Sequence, residues 1–531
     1  MDEQGSDVLV IGAGPAGITA ALAIAETGRS VRIIDPSRAS VRLPPRGNYL
    51  ALRATDRSQW RWQVGAATGA LAAMDQTSPK LRIPGLRGIF EGYAEANHLH
   101  ADPGFHLVGA MAAGGMSNAW GCGVTRFTRA ELGALGAYEA SMLASYARVA
   151  TRMGLSGAND DDIAAAVGVD EWADPPLPLD RMHAALYRRR DRITAGPGLS
   201  LGHTRLAVLA RARGAREACD LAGLCLWGCP TGATWSAAFD LPQLRARPGV
   251  VWDPGWSAQR LDRNARGGWD VQVCAEDGVH RTLHAQYVLL AAGTLASTRL
   301  ALAALQDPPA RVRLLSNPMA AFLLCLPRFL GQAREPAFGL AQLSLRLDVL
   351  GSAGPAWAHT FSTAGLPVSE LLPYLPLTRR AGLPLLRALL PATLFGNAFF
   401  PGEFSAHHVE LQHDGALKIS GGESTELAPA REQVRRTLVQ AYRRAGAWML
   451  PGSFIPGAWG ADLHYAATLP IRDRPAAHEC HASGQIAGLP GVYAVDGASL
   501  PTLPAKAHTL TIMANADRIA RGIPHAAPGG G

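Results

Sequence analysis

The stretch from Val8 to Asp35 constrains the fold of this chain more than any other, and it reads VLVIGAGPAGITAALAIAETGRSVRIID. Its first residues, Val8–Ile11, are a short apolar run typical of a buried parallel strand. A helical pattern follows from Pro15 to Thr27, with proline in the first turn and glycine where a C-terminal cap belongs. A second apolar run, Val31–Ile34, ends in Asp35. This order predicts a β-α-β unit at the start of a parallel sheet.

The turn between the first strand and the helix has the pattern G-x-G-x-x-G. Its first glycine permits the tight turn, the second lets the backbone approach a pyrophosphate, and the third lets the helix pack against the strand. Amides at the helix N-terminus are available to phosphates, and the acid after the second strand is placed for ribose hydroxyls. The unit predicts a dinucleotide site formed by Gly12, Gly14, Pro15, Ala16, Gly17 and Asp35.

Length and charge exclude several classes of protein. The chain has 531 residues, which favours two linked domains, and 48% of them are hydrophobic, as in a globular protein. Its net charge of +7 includes no dense basic block, so nucleic acid is not expected as a partner. No apolar run has the roughly 18 residues of a membrane span, and the acidic start does not resemble a signal peptide. We therefore expect a cytoplasmic protein whose seven cysteines are not a disulfide framework.

Later segments indicate that the chain leaves the nucleotide sheet and returns to it twice. Strand patterns between 250 and 290 lead into AAGTLAST, and GVYAVDGASLP precedes a final helix near the C terminus. Between these segments, alternating strands and a helix at roughly 428–446 predict an antiparallel sheet. The predicted fold class is α/β, a discontinuous Rossmann-like domain with an inserted α+β substrate domain built on an antiparallel sheet. The predicted divisions are 1–310 (with a helical excursion at 130–215) and 455–531 for the nucleotide domain, and 311–454 for the substrate domain.

The glycine groups at 121–123 and 196–198 lack the strand and helix of a second dinucleotide unit. This argues against enzymes that bind FAD and a nicotinamide dinucleotide through two such folds. With one dinucleotide that stays bound, the electrons would come from the substrate itself.

Five ordered blocks that span nearly the whole chain resemble those of the glucose–methanol–choline (GMC) family of FAD-dependent oxidoreductases. The first is the β-α-β unit, and the second is GGMSNAWG at 114–121. The third joins Val250 and Val251 to LAAGTLAS at 290–297. The fourth is HYAATLP at 464–470, and the fifth is VDGASLP at 495–501 with HTLTI at 508–512.

The resemblance implies an FAD-binding domain with non-covalent FAD, since Asn118 is not the histidine of a covalent attachment. It also implies an alcohol or sugar substrate and an external electron acceptor, which is oxygen, a quinone or a cytochrome. To the dinucleotide residues it adds the cofactor-binding positions Gly115, Ser117, Asn118, Ala119, Trp120, Val251, Ala292, Gly293, Ser297, Asp496, Gly497 and Thr509.

Two histidines are implied as the catalytic pair. His464 occupies the position of the family's active-site histidine, although three residues after it depart from the family pattern. His508 fits members with a second histidine, whereas alignment on relatives with N-P-x-x-T would place Ala507 there, which could do no chemistry. An imidazole suits removal of a hydroxyl proton, and a second group can orient the C–H bond. We expect His464 to be the base and His508 its partner.

Three cysteines with the spacing Cys219-x5-Cys225-x3-Cys229 form a separate local feature. Many GMC relatives have four cysteines here, and Ala222 stands in place of the second. The remaining spacing resembles that of bacterial FAD-dependent glucose dehydrogenases, in which three cysteines bind a [3Fe-4S] cluster. The alternative interpretation is a cysteine-containing turn without a metal.

The segment 371–400 is rich in leucine and proline and contains Arg379, Arg380 and Arg387. One interpretation is ordinary lining of the substrate domain. The other is a surface that dips into a membrane with arginines at the headgroups, which would make the protein peripherally membrane-bound.

Together with this resemblance, the sequence predicts FAD-dependent oxidation of a CH–OH group, with hydride transfer to flavin N5. One alternative is a flavin and [3Fe-4S] dehydrogenase that passes electrons to a quinone or cytochrome. The other is a flavin-binding protein that has lost its catalytic activity.

Overall fold

A computed structural model describes residues 6–66, 78–157, 160–367, 371, 375 and 377–524. The strands in chain order are β1 (Ser6–Ile11), β2 (Val31–Asp35), β3 (Leu99–Ala101), β4 (Leu155–Ser156), β5 (Ala173–Asp174), β6 (Leu199–His203), β7 (Val250–Pro254), β8 (Ser257–Arg263), β9 (Trp269–Cys274), β10 (His280–Leu290), β11 (Val312–Leu314), β12 (Met319–Cys325), β13 (Ala341–Leu347), β14 (Ala356–Ser362), β15 (Thr393–Phe399), β16 (His407–Leu411), β17 (Leu417–Ser420), β18 (Trp448–Met449), β19 (Ile455–Pro456) and β20 (Val492–Ala494).

The α-helices are α1 (Pro15–Glu26), α2 (Tyr49–Thr55), α3 (Trp60–Gln63), α4 (Tyr93–Ala96), α5 (Glu139–Met153), α6 (Ala164–Val167), α7 (Arg181–Tyr187), α8 (Arg190–Ile193), α9 (Leu241–Arg245), α10 (Thr294–Ala304), α11 (Arg379–Leu389), α12 (Leu427–Arg444) and α13 (Thr509–Arg521). Short 3-10 helices at Gly115–Asn118 and Gly497–Ser499 also contribute to the site.

The first sheet has the strand order β7-β2-β1-β10-β9-β8, with β20 also paired to β10. Strands β7, β2, β1, β10 and β20 are parallel, as expected where helices connect the strands. The last of the strand patterns between 250 and 290 belong to one long strand, β10. Its first half pairs antiparallel with β9 and its second half parallel with β1, so the chain needs no turn between them.

The second large sheet is antiparallel, with the order β18-β12-β15-β14-β13-β6 and β19 also paired to β12. One face packs on α12, whose Val434, Leu438 and Tyr442 share a buried core with Phe322 and Leu345. Strand β6 lies within the stretch expected to be helical, yet it is the edge strand next to β13. The predicted fold class is confirmed, a Rossmann-like α/β domain with an inserted domain on an antiparallel sheet.

Strands β16 and β17 were expected in that antiparallel sheet, and this expectation was wrong. They form a smaller sheet of order β11-β16-β17-β3, in which β17 is parallel to β3. The reason is packing, because Val409, Leu417 and Ile419 are buried in the same core as the first sheet. None of the described helices combines the length and the apolar character needed to cross a membrane.

Candidate active site

A cavity of about 950 Å³ extends from the first glycine turn to the antiparallel sheet. Gly14 and Asp35 line it at the nucleotide end, and His359 lines it on the antiparallel sheet. His464 and His508 also contribute to its wall. The topology explains this assembly, since the cavity joins the carboxyl ends of the parallel strands to one face of the second sheet.

The first glycine turn is tight where the sequence predicted it and open where a ligand is expected. Gly12 has a φ of +108°, and a Cβ there would lie 2.3 Å from the carbonyl oxygen of Ala291. A Cβ on Gly17 would lie 1.8 Å from the carbonyl oxygen of Gly12. By contrast, the nearest atom to a Cβ on Gly14 would be 3.9 Å away. Gly14 also leaves the N-terminus of α1 without a side-chain cap, so the turn fits a phosphate.

Asp35 lines the cavity, but much of its carboxylate already holds the turn. Its Oδ2 accepts a hydrogen bond from the Ala13 amide at 3.0 Å. Its Oδ1 accepts from the Ser37 amide at 2.9 Å and the Ser37 hydroxyl at 2.7 Å. Burial raises the pKa of Asp35. A carboxylate has about four acceptor positions, so one remains for a ribose hydroxyl.

Val251 was expected to bind the cofactor, but this residue is 42% exposed on β7 and does not line the cavity. The cavity is lined instead by Trp256, Ser257 and Ala258, at the start of β8. The Ser257 hydroxyl is buried and has no hydrogen-bond partner among the described residues, so it suits a ligand.

The second glycine loop approaches the first very closely. A Cβ on Gly115, whose φ is +54°, would lie 3.0 Å from the Cα of Gly14. Ala119 and Trp120 line the cavity, as expected of cofactor-binding positions. The side chains of Ser117 and Asn118 instead hold the loop. The Ser117 hydroxyl donates to the Gly114 carbonyl at 2.5 Å, and the Asn118 amide donates to the carbonyls of Ala113 and Gly115.

A third group of predicted positions meets at Asp496. Its Oδ2 accepts from the Gly293 amide at 3.0 Å and the Ser297 hydroxyl at 2.6 Å. The Ser297 hydroxyl in turn accepts from the Ala292 amide at 3.1 Å. Burial raises the pKa of Asp496 to about 6. Ser297 thus acts behind the wall, which is formed by Ala292, Gly293, Asp496, Gly497 and Thr509.

The two histidines predicted as a catalytic pair are neighbours. The ring centroids of His464 and His508 are 4.5 Å apart, and the rings are nearly perpendicular at 79°. His508 precedes α13, and its Nδ1 is buried with no hydrogen-bond partner in the described part of the chain. Ala507 also lines the cavity, but its carbonyl accepts from the Thr125 hydroxyl at 2.9 Å. Of these two neighbouring residues, His508 is the one with a polar side chain in the cavity wall.

Asn317, which the sequence analysis did not single out, fixes the tautomer of His464. Its Nδ2 donates to the carbonyls of Phe400 at 2.9 Å and Pro504 at 3.2 Å. Its Oδ1 must therefore be the acceptor in the 3.0 Å contact with His464 Nδ1. The hydrogen lies on Nδ1, and Nε2 of His464 is left as the basic nitrogen.

The environment keeps both imidazoles uncharged. Burial, followed by the neighbouring His508 and His359, lowers the pKa of His464 well below its ordinary value. Burial alone lowers the pKa of His508 to about 4. An unprotonated imidazole can accept a proton, so the pair can act as a base and its hydrogen-bonding partner. Asp462 holds the backbone beside the histidine. Its Oδ2 accepts hydrogen bonds from the backbone amides of His464 at 3.1 Å and Asn317 at 2.8 Å.

The three cysteines lie near one another but outside the cavity wall. Burial raises the pKa of Cys219 to about 12 and that of Cys225 to about 11. The Cys229 thiol lies 3.2 Å from the Thr231 hydroxyl. Across the described residues, these cysteines included, no three or more His, Cys, Asp or Glu side chains are arranged to hold a metal ion.

The segment 371–400 forms part of the cavity wall. Leu386, Leu389 and Leu390 line the cavity, whereas Leu377 and Leu385 do not line it and are 48% and 40% exposed. The described part of the chain does not include residues 372–374 and 376. It also leaves out the side chain of Arg379, which was expected at the membrane headgroups. The segment thus contains both cavity-lining and solvent-exposed leucines.

Comparisons with known proteins agree with this architecture. A family model described as an FAD binding domain matches residues 7–41. The segment is therefore an FAD-binding unit. Among solved structures, the chain is similar to pyridoxine 4-oxidase from Mesorbium loti, with a TM-score of 0.60 and 16% sequence identity. The match covers 97% of this chain and 98% of that chain, so the likeness of fold extends over both proteins. No curated protein matches the sequence.

Proposed function

We propose that this protein is an FAD-dependent oxidoreductase of the GMC type that oxidises the CH–OH group of an alcohol. The observation that carries the proposal is the uncharged histidine pair, His464 and His508, in the wall of a cavity that begins at the FAD-binding unit. FAD would be held by the glycine turns at Gly14 and Gly115 and by the Asp496 cluster, without a covalent bond. When bound, it supplies the acceptor for the hydride that the alcohol carbon loses.

The chain's own contribution is proton transfer and orientation. Nε2 of His464 accepts the hydroxyl proton, because Asn317 holds the hydrogen on Nδ1. The lowered pKa of His464 keeps this nitrogen unprotonated at neutral pH. It also makes the protonated ring short-lived, so the proton leaves readily after the transfer. His508 hydrogen-bonds the same hydroxyl from the perpendicular direction and fixes the C–H bond.

The cavity favours an apolar or aromatic alcohol over a sugar. Its wall on the antiparallel sheet includes Trp357, Phe361, Phe395 and Phe399. A sugar ring would leave hydroxyls against these surfaces without partners, at a cost of about 1–3 kcal/mol for each buried group. The similar solved structure is named an oxidase, which favours oxygen as the electron acceptor.

The test is anaerobic bleaching of the flavin spectrum by a panel of aliphatic, aromatic and sugar alcohols. We expect bleaching by aromatic alcohols and its loss in His464→Ala. His407→Ala is the matched control, because His407 is also buried but lies outside the cavity wall. Flavin that no alcohol reduces would support the non-catalytic alternative, and bleaching that survives in His464→Ala would reject His464 as the base. Oxygen consumption then separates an oxidase from a dehydrogenase.

A further inference from the structure

The antiparallel sheet presents one polar row to the cavity, between two apolar rows. Residues directly opposite one another on neighbouring strands share a face, and residues two apart on one strand lie in successive rows. The apolar rows, taken across β12, β15 and β14, are Met319, Phe399 and Trp357 on one side and Leu323, Phe395 and Phe361 on the other. All six line the cavity.

The polar row consists of Ser344, His359 and Asn397. Ser344 is opposite His359 across β13 and β14, and His359 is opposite Asn397 across β14 and β15. All three side chains line the cavity. His359 contributes to the lowered pKa of His464, but the proton transfer proposed for His464 and His508 uses no hydrogen bond from this row.

A hydrogen-bond chain supports His359 from behind. The Thr204 and Ser344 hydroxyls lie 2.8 Å apart, and the Ser344 hydroxyl lies 2.8 Å from His359 Nδ1. Both hydroxyls can rotate, so the chain can run in either direction. Nε2 of His359 can therefore present either an N–H group or a lone pair to the cavity. Burial lowers the pKa of His359 to about 4, so the imidazole is uncharged when it presents either group.

Asn397 gives a second, independent indication of a ligand. Its Oδ1 is buried and has no hydrogen-bond partner among the described residues. A buried amide oxygen without a partner costs about 1–3 kcal/mol, and a ligand that donates to it would remove this cost. Such an atom beside the free nitrogen of His359 makes a site for one neutral hydrogen-bonding group.

The spacing of the rows relates this site to the catalytic pair. Phe399, in the first apolar row, stacks on His464 with ring centroids 5.3 Å apart. The polar row is two residues farther along the strands, which is about 7 Å. That is close to the length of a benzene ring with a substituent at each end.

We propose that His359 and Asn397 form a second polar subsite, which binds a neutral hydrogen-bonding substituent at the far end of an aromatic alcohol. The proposal rests on the oxidation of an alcohol at His464, and it narrows the substrate to a ring with a para hydroxyl or carbonyl group. The polar row has no positive charge, so a para carboxylate is rejected.

The experiment is calorimetric binding to the FAD-loaded protein, with 4-hydroxybenzyl alcohol and 4-methylbenzyl alcohol as the pair. The hydroxyl compound is expected to bind about threefold to tenfold more tightly, the worth of one net hydrogen bond. 4-Carboxybenzyl alcohol is expected to bind more weakly than both. His359→Phe and Asn397→Leu should each reduce the preference for hydroxyl to about twofold or less.

Thr360→Val is the matched control, because Thr360 is next to His359 on β14 but does not line the cavity. It should keep the wild-type preference. Should His359→Phe fail to fold, Ser344→Ala tests the same subsite by breaking the hydrogen-bond chain. Equal affinities in the wild type, or an unchanged preference in the variants, would overturn the proposal. Binding needs no turnover, so failure here is distinct from failure of the oxidation, which flavin bleaching measures.

Discussion

Replacing Asn317 by leucine removes the amide that connects the catalytic histidine to its supports. The change removes the hydrogen bond to His464 and leaves the buried carbonyl of Phe400 and the partly buried carbonyl of Pro504 without this donor. Each unsatisfied carbonyl costs about 1–3 kcal/mol, so we expect the free energy of unfolding to fall by about 2–6 kcal/mol. Thermal unfolding of the FAD-loaded protein measures this effect.

The effect on the reaction follows from the tautomer of His464. Without the acceptor on Asn317, the hydrogen is free to move to Nε2, which then cannot accept a proton, and the ring is free to turn. We expect the rate of anaerobic flavin reduction at saturating alcohol to fall by about tenfold to a hundredfold. Affinity for the alcohol should change little, because Asn317 does not line the cavity.

Asn317→Asp separates this positioning role from a general structural defect. Its carboxylate keeps an acceptor beside Nδ1 and would stabilise the protonated ring, so it should raise the pKa of His464. The pH profile of flavin reduction should then shift upwards, which simple destabilisation would not cause. A reduction rate for Asn317→Leu within about twofold of the wild type would refute the role of the hydrogen bond.

Four further measurements test the cofactor site, the histidine pair, the cysteines and the leucine-rich segment separately. Gly12→Ala should abolish FAD binding, measured as flavin retained on purification, because its Cβ would collide with the Ala291 carbonyl. Since burial lowers the pKa of His508 to about 4, flavin reduction should be level above pH 6.5 and be lost as the pH falls towards 4. Metal analysis should find far less than one iron per chain, because the cysteines at 219–229 are not arranged for a cluster. Co-flotation with anionic vesicles is expected if the exposed leucines at 377 and 385 contact a membrane, and Leu385→Glu should abolish it; absence of flotation in the wild type would end that interpretation.

The nucleotide unit could be predicted from sequence because its signals are local. Gly12 and Gly17 are required by contacts with backbone a few residues away or on the neighbouring strand, and the strand and helix patterns flank them directly. The fold class followed from the same patterns returning along the chain. The roles of His464 and His508 remain predictions, although the fold brings the two rings together.

The features missed by the sequence analysis depend on long-range pairing. Asn317 and His464 are 147 residues apart, and an isolated asparagine gives no local signal. The row of His359 and Asn397 exists only because β14 and β15 pair in one register, and a shift by one residue would turn both side chains away. Val251 was assigned from the resemblance of a valine pair to a family block, and its exposure on β7 depends on how the strands pair.

The central claim is that the chain removes a hydride from an alcohol carbon while His464 takes the hydroxyl proton. Anaerobic flavin reduction, followed with an aromatic alcohol and its carbinol-deuterated form, tests it most directly. The account predicts reduction that is slowed by deuterium in the wild type and in His407→Ala, and no reduction in His464→Ala. Reduction at wild-type rate in His464→Ala, or none by any alcohol in the wild type, would contradict it.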